Sequence, residues 1–146
     1  MTTSFEKEVF IRMTEATIGL VALTIGGLIY IRYRSESLLM FDWFHNLGLT
    51  NLIECFRNNS EAPNINGWVK FNLPAGLWLF AYMFLIDAVW AKDKNHISMY
   101  FLYILPLLAI VSEFMQFVGL VPGTFDVMDL LSYISAILLF VIIKKI

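Results

Sequence analysis

Long apolar stretches, each closed by basic residues, dominate the chain. Ala16–Ile31 carries no charge and stops at Arg32 and Arg34. Leu73–Trp90 opens on Leu73-Pro74, has Asp87 as its one charge and ends before Lys92 and Lys94. Ile97–Phe117 is interrupted by Pro106 and carries Glu113 and Gln116 near its far end, and Asp126–Ile143 closes at Lys144 and Lys145. A helix needs about 20 mostly apolar residues to cross the hydrocarbon core. The pattern therefore predicts four transmembrane helices, over about residues 14–33, 72–91, 97–117 and 126–143. Proline suits the first turn of the second span and predicts a kink in the third. Four crossings put both termini on one side.

A different pattern fills the interval after the first span. Over residues 36–57, Leu39, Phe41, Trp43, Phe44, Leu47, Leu52 and Phe56 alternate with Asp42, His45, Asn46, Asn51, Glu54 and Arg57. Charges recur too often for a crossing, and the pattern predicts amphipathic helix lying in the interface, broken near Gly48. Asn58–Gly67 is a polar, turn-rich loop. The expected fold class is thus all-α: one polytopic membrane domain over residues 1–146, with four spans and an interfacial segment. The stretch before the first run mixes Glu6, Lys7, Glu8 and Arg12, and no small-residue cleavage pattern follows. That reads as an uncleaved first span rather than a signal peptide. Lys7, Arg12, Lys92, Lys94, Lys144 and Lys145 on the terminal side outnumber Arg32, Arg34, Arg57 and Lys70 on the other, which places both termini in the cytoplasm. Trp43, Trp68, Trp78 and Trp90, with Tyr30 and Tyr33, fall near span ends as an aromatic belt.

Composition narrows the function classes. Of 146 residues, 59% are hydrophobic and 15% charged, against roughly 45–50% and about 25% in soluble domains. Mean hydropathy is +0.72. The net charge of −2 offers no basic footprint for nucleic acid. One cysteine, Cys55, closes no internal disulfide, and His45 and His96 are too isolated for a zinc site. No cofactor or metal is expected. The chain lacks G-x-S-x-G, H-E-x-x-H and a P-loop lysine motif, so no nucleophile is identifiable and a non-catalytic role is favoured.

Ionisable groups within spans mark functional sites by default. The densest set lies at the hairpin joining the last two spans. Glu113 and Gln116 are three apart on one helix face. Asp126 and Asp129 repeat that spacing, with Tyr133 a turn beyond, and Gly119–Thr124 makes a tight turn between the two pairs. Facing one another, these groups would form a polar pocket in which Glu113 is a candidate proton carrier or hydrogen-bond donor. Separate local roles are the alternative. Asp126 or Thr124 can cap the fourth helix, Glu113 and Gln116 can bond across helices, and Asp87 can pair with Lys92 or Arg34 or reach the headgroups.

The stretch Ser112-Glu113-Phe114-Met115-Gln116 followed by Pro122-Gly123-Thr124-Phe125-Asp126-Val127-Met128-Asp129 resembles the VanZ-like membrane family. That family has Glu-x-x-Gln at the end of one span, a proline/glycine turn, and an Asp-x-x-Asp-like element opening the next. Glu113, Gln116, Asp126 and Asp129 occupy those positions, and in looser form the resemblance covers about residues 70–143. It implies a compact bundle of four or five spans in a bacterial envelope, and its namesake is associated with resistance to a glycopeptide antibiotic. The chain departs from it where Gly123 or Thr124 stands for an arginine in the turn, Tyr133 for asparagine and Ala136 for glycine. The missing cation leaves the acids dependent on Arg32, Arg34, Arg57 or Lys70.

The expected function is binding of a membrane lipid or lipid-linked envelope molecule at Glu113, Gln116, Asp126, Asp129 and Tyr133, in the bacterial cytoplasmic (inner) membrane. A second class is a self-associating element: a channel-forming or membrane-perturbing effector, a homo-oligomer, or a small subunit of a membrane complex. It draws on the chain's small size and on Ala22 and Gly26, a small-residue pair that lets a neighbouring helix approach.

Overall fold

The computed structural model describes residues 4–58, 63, 65–90 and 95–145. They form helices joined by turns, in the order α1 (Ser4–Tyr33), α2 (Leu39–Asn46), α3 (Thr50–Asn58), α4 (Gly67–Phe71), α5 (Leu73–Val89), α6 (His96–Phe117) and α7 (Val127–Lys145). α1, α5, α6 and α7 are long and apolar enough to cross a membrane. The chain is an integral membrane protein with an all-α bundle.

α5 is the centre of the bundle. α1 packs along one side of it and α7 along another, with α6 against α5 and α7. Close approach to α1 depends on small residues: a methyl group at Gly19 would meet Leu85 and the Ala81 carbonyl, and one at Gly26 would meet the Trp78 ring. Ala22 between them is buried. The pair that could have served self-association is therefore covered by α5. Trp78 packs on Gly26 and against Tyr30, ring centroids 4.9 Å apart. Across the bundle, a methyl at Gly76 would come within 3.1 Å of the Ser132 carbonyl oxygen of α7. The core lies midway along α5, where Met83 and Phe84 meet Leu102 of α6 and Phe140 of α7. Phe84 and Phe140 pack edge to face at 5.1 Å.

Two elements differ from the sequence expectation. α1 starts at Ser4 and is 30 residues long, ten residues before the predicted span. Glu6, Lys7, Glu8 and Arg12 are good helix formers, so nothing stops the helix before the apolar run. Its first turns expose Phe5, Phe10, Ile11 and Met13. The polar loop after α3 ends in the short helix α4, which Asn66 caps by accepting from the Trp68 N–H at 2.9 Å. α2 and α3 are two amphipathic helices meeting at Gly48, each too short to span. Phe41 and Ile53 turn inward, while Leu39, Trp43, Leu47 and Leu52 are exposed.

α6 continues through Pro106, which is buried. Proline removes the N–H that would bond the Leu102 carbonyl. The Tyr82 hydroxyl of α5 donates to the adjacent Phe101 carbonyl, tying the loosened turn to the central helix.

Candidate functional site

The hairpin between α6 and α7 is built by its glycines. Gly119 has φ +73°, a conformation open to glycine at little steric cost. It ends α6 in a Schellman motif: the Leu120 N–H bonds the Met115 carbonyl at 2.8 Å and the Gly119 N–H the Gln116 carbonyl at 3.0 Å. Gly123, at φ +137°, lies where a methyl would be 2.6 Å from the Gln116 side-chain oxygen. Gln116 thus packs against the turn rather than reaching the acids.

Past the turn, Asp126 caps α7. Its Oδ1 accepts from the Met128 N–H at 2.8 Å. The same residue's N–H donates to Glu113 Oε2 at 3.3 Å, so the capping role and the joint role coexist in one side chain and its backbone. Glu113 is only 4% exposed. Asp129, one turn into α7, lies on the same side, within electrostatic range of Glu113. Tyr133 is in range of both Asp129 and Glu113.

The residue that joins these acids is one the sequence reading missed. Asn72, 5% exposed, precedes α5 but does not cap it through its side chain. Its amide reaches across the bundle instead: Nδ2 donates to Asp126 Oδ2 at 2.8 Å and to Asp129 Oδ1 at 3.0 Å. Ionised carboxylates only accept, and the amide supplies two N–H groups, so the donor end of Asn72 matches the pair. The available signal was a lone amide directly before Leu73-Pro74, at the level where α7 begins. Read along the sequence it is indistinguishable from a helix cap.

The basic residues are placed unequally. Arg32 donates to the Phe56 carbonyl at 2.7 Å and to that of Arg57. Arg57 donates to the Ile31 carbonyl and, at 3.0 Å, to that of Arg34, and pairs with Glu36 at 2.9 Å. These two arginines satisfy the last carbonyls of α1 and α3 and lock the helix ends together. Arg34 is the cation whose field acts on Asp129. Its guanidinium lies 5.4 Å from the Tyr30 ring centroid and 5.5 Å from that of Phe71, and its Nε is buried with no hydrogen-bond partner. Lys70 sits over the Tyr33 ring at 5.5 Å.

Asp87 does not belong to this group. It lies fifteen residues along α5 from Asn72, about 22 Å at the helical rise, and ion-pairs with Lys144. Arg34 is at the opposite end, and Lys92 falls outside the described residues. Among the described residues no set of three His, Cys, Asp or Glu side chains is grouped to hold a metal ion.

What the arrangement offers is a knot of oxygen acceptors, the two at the start of α7 held by the Asn72 amide ahead of α5 and Glu113 of α6 held by the Asp126 N–H, beside an arginine whose Nε is unpaired. Such a knot suits recognition of hydroxyl- or amine-bearing groups through hydrogen bonds. No protein-family model, curated protein or solved structure matches this chain.

Proposed function

We propose that this chain is a VanZ-like cell-envelope membrane protein that binds a lipid or lipid-linked envelope molecule at the Asn72–Glu113–Asp126–Asp129 end of the bundle, without catalysing a reaction on it. The observation that carries the reading is the double hydrogen bond from Asn72, ahead of α5, to Asp126 and Asp129 at the start of α7, beside which the Asp126 N–H holds Glu113 of α6. Gln116 and Tyr133 flank the knot, and Arg34 supplies the charge that the family resemblance places in the turn. The carboxylates favour a headgroup rich in hydroxyl or amine donors, such as the sugar of a lipid-linked glycan. In this reading the protein sits in a bacterial inner membrane with both termini cytoplasmic, so the knot faces the outer leaflet and the α2–α3 segment lies over it at the interface.

Binding of a polyprenyl-pyrophosphoryl disaccharide to the purified chain in detergent tests this. The reading expects saturable binding that falls about tenfold in Glu113→Gln and in Asp129→Asn at unchanged helicity. Equal binding by both variants and the parent contradicts it.

A further inference from the structure

Small residues where α5 meets α7 leave room beside the acid knot. The bundle is tied at its far end, where Lys144 of α7 pairs with Glu15 of α1 and with Asp87 of α5. Nearer the knot a cleft of about 210 Å³ opens along α5 and α7. Gly76 and Ala136, both buried, form its floor, and Gly76 brings the backbones together at Ser132. The Ser132 hydroxyl is turned aside to the Met128 carbonyl at 2.8 Å, so the floor presents carbon. Leu77 and Phe80 wall the α5 side and Leu139 the α7 side, with exposed Ser135 on the rim.

The cleft starts one turn from the knot. Leu73 follows Asn72 directly, and Ser132 lies one turn past Asp129. Trp68 stands at this end, as tryptophans do at headgroup level. From Leu73 to Phe80, and from Ser132 to Leu139, the helical rise is about 10 Å, within one leaflet of a hydrocarbon core about 30 Å thick. A cavity of about 150 Å³ holds the six carbons of benzene, so on that scale this one holds about eight. Eight carbons in an extended chain reach about 8 Å, at roughly 1.2 Å per bond, which matches the length of the cleft. Volume over length leaves a cross-section of about 20 Å², against roughly 80 Å² for even a helix 10 Å across. The cleft takes one hydrocarbon chain and excludes a helix.

We propose that the α5–α7 cleft holds the headgroup-proximal end of a single polyprenyl chain, the tail of the molecule whose headgroup sits at the knot. This inference rests on the proposed function and names the tail class of its ligand. A chain gains no hydrophobic free energy on leaving the bilayer, because lipid tails are as apolar as the cleft wall. It gains dispersion contact with fixed neighbours on several sides, so the cleft discriminates by shape, and the polar knot one turn away supplies the anchor that keeps the chain there. A diacyl phospholipid carries two chains side by side from one glycerol. Seating one of them here would splay the pair across the α7 rim, a conflict that a single-chain carrier does not meet.

The test is photolabelling of the full chain in dioleoyl phosphatidylcholine nanodiscs. The probe is a polyprenyl-pyrophosphoryl disaccharide with a diazirine in its second isoprene unit, and tandem mass spectrometry reads the labelled sites. The expected result is saturable label concentrated on Phe80, Ala136 and Leu139. Ala136→Leu fills the floor and Ser135→Phe the rim; each lowers this label about tenfold, and the exposed rim variant keeps its melting temperature, so loss of fold does not imitate the effect. A phosphatidylglycerol carrying the diazirine at matching depth in one acyl chain labels these residues about tenfold less. Equal label from that phospholipid makes the occupant a bulk acyl chain and overturns the proposal, as does undiminished label in both filling variants. Near-complete disulfide dimer in Ser135→Cys on a Cys55→Ser background puts a second copy on the cleft and overturns it too. Glu113→Gln and Asp129→Asn separate the two readings. Label that falls in the filling variants and not in these two supports the cleft and contradicts the headgroup site; the reverse pattern overturns the cleft and leaves the headgroup site standing.

Discussion

Replacing Asn72 with leucine removes both bridging hydrogen bonds and leaves Asp126 and Asp129 facing one another without the amide between them. On the scale of soluble proteins, a hydrogen bond to a charged group contributes about 1.5–3 kcal/mol, which for two bonds gives about 3–6 kcal/mol. That figure overstates the effect here. Interhelical bonds in a membrane protein average about 0.6 and reach about 1.7 kcal/mol, because the unfolded chain in the bilayer finds other partners. Both aspartates are also only half-buried, so water replaces part of what the amide supplied. Asn72→Leu is therefore expected to destabilise the bundle by about 1–3 kcal/mol, roughly a five- to 150-fold change in the folding equilibrium. Reversible unfolding by dodecyl sulfate in mixed micelles measures it. Combining Asn72→Leu with Asp129→Asn then tests the contact itself, since residues in one network show coupling of about 0.5–3 kcal/mol. A change below about 0.3 kcal/mol with no coupling refutes the argument that the amide holds the acids together.

Further outcomes follow from the other contacts. Lys144→Met leaves Glu15 and Asp87 without their shared cation and costs roughly 3 kcal/mol, as removal of one partner from a buried pair does; thermal unfolding in detergent reads the loss, and adding Glu15→Gln and Asp87→Asn recovers most of it. Gly76→Val drives a side chain into the Ser132 backbone, which cannot swing aside, and costs about 1–3 kcal/mol in the same assay, whereas valine at Gly27, which has open space around it, is tolerated. Cys55 is exposed on α3, at the end of α1 opposite the chain termini. A membrane-impermeant maleimide labels it from one face of sealed vesicles and labels a cysteine introduced at Lys145 from the other; labelling of both from one face contradicts the four-crossing topology.

The long helices were legible because a bilayer demands some 20 apolar residues in a row, a local property that sequence displays directly. The break at Gly48, the turn at Gly119–Thr124 and the capping role of Asp126 were legible for the same reason, being encoded within a few residues. Partnerships across the bundle were not. Glu15 sits just before the uncharged run, and Lys144 just after the last one, positions at which a charged side chain can reach the headgroups. Their meeting with Asp87 depends on how α1 and α7 flank α5, which no spacing along the chain reveals. Asn72 was hidden by its position: an asparagine before a proline-containing first turn reads as a helix cap, and only the placement of α7 shows that its amide serves the acids instead. Arg32 and Arg57 were candidates for the acids by charge alone, yet the unsatisfied carbonyls at the ends of α1 and α3 lay closer and took them.

The most direct test of the account is the proximity of the Asn72 side-chain amide nitrogen to the carboxyl carbons of Asp126 and Asp129 in the bilayer. Rotational-echo double-resonance solid-state NMR on protein labelled at asparagine side-chain nitrogen and aspartate carboxyl carbon measures it, with Asn72→Gln to assign the signal. The account predicts strong dephasing from both carboxyl carbons, as hydrogen-bond contacts of 2.8 and 3.0 Å require, disappearing in each aspartate's own alanine variant. Absence of dephasing from either carboxyl group in the folded protein would contradict it.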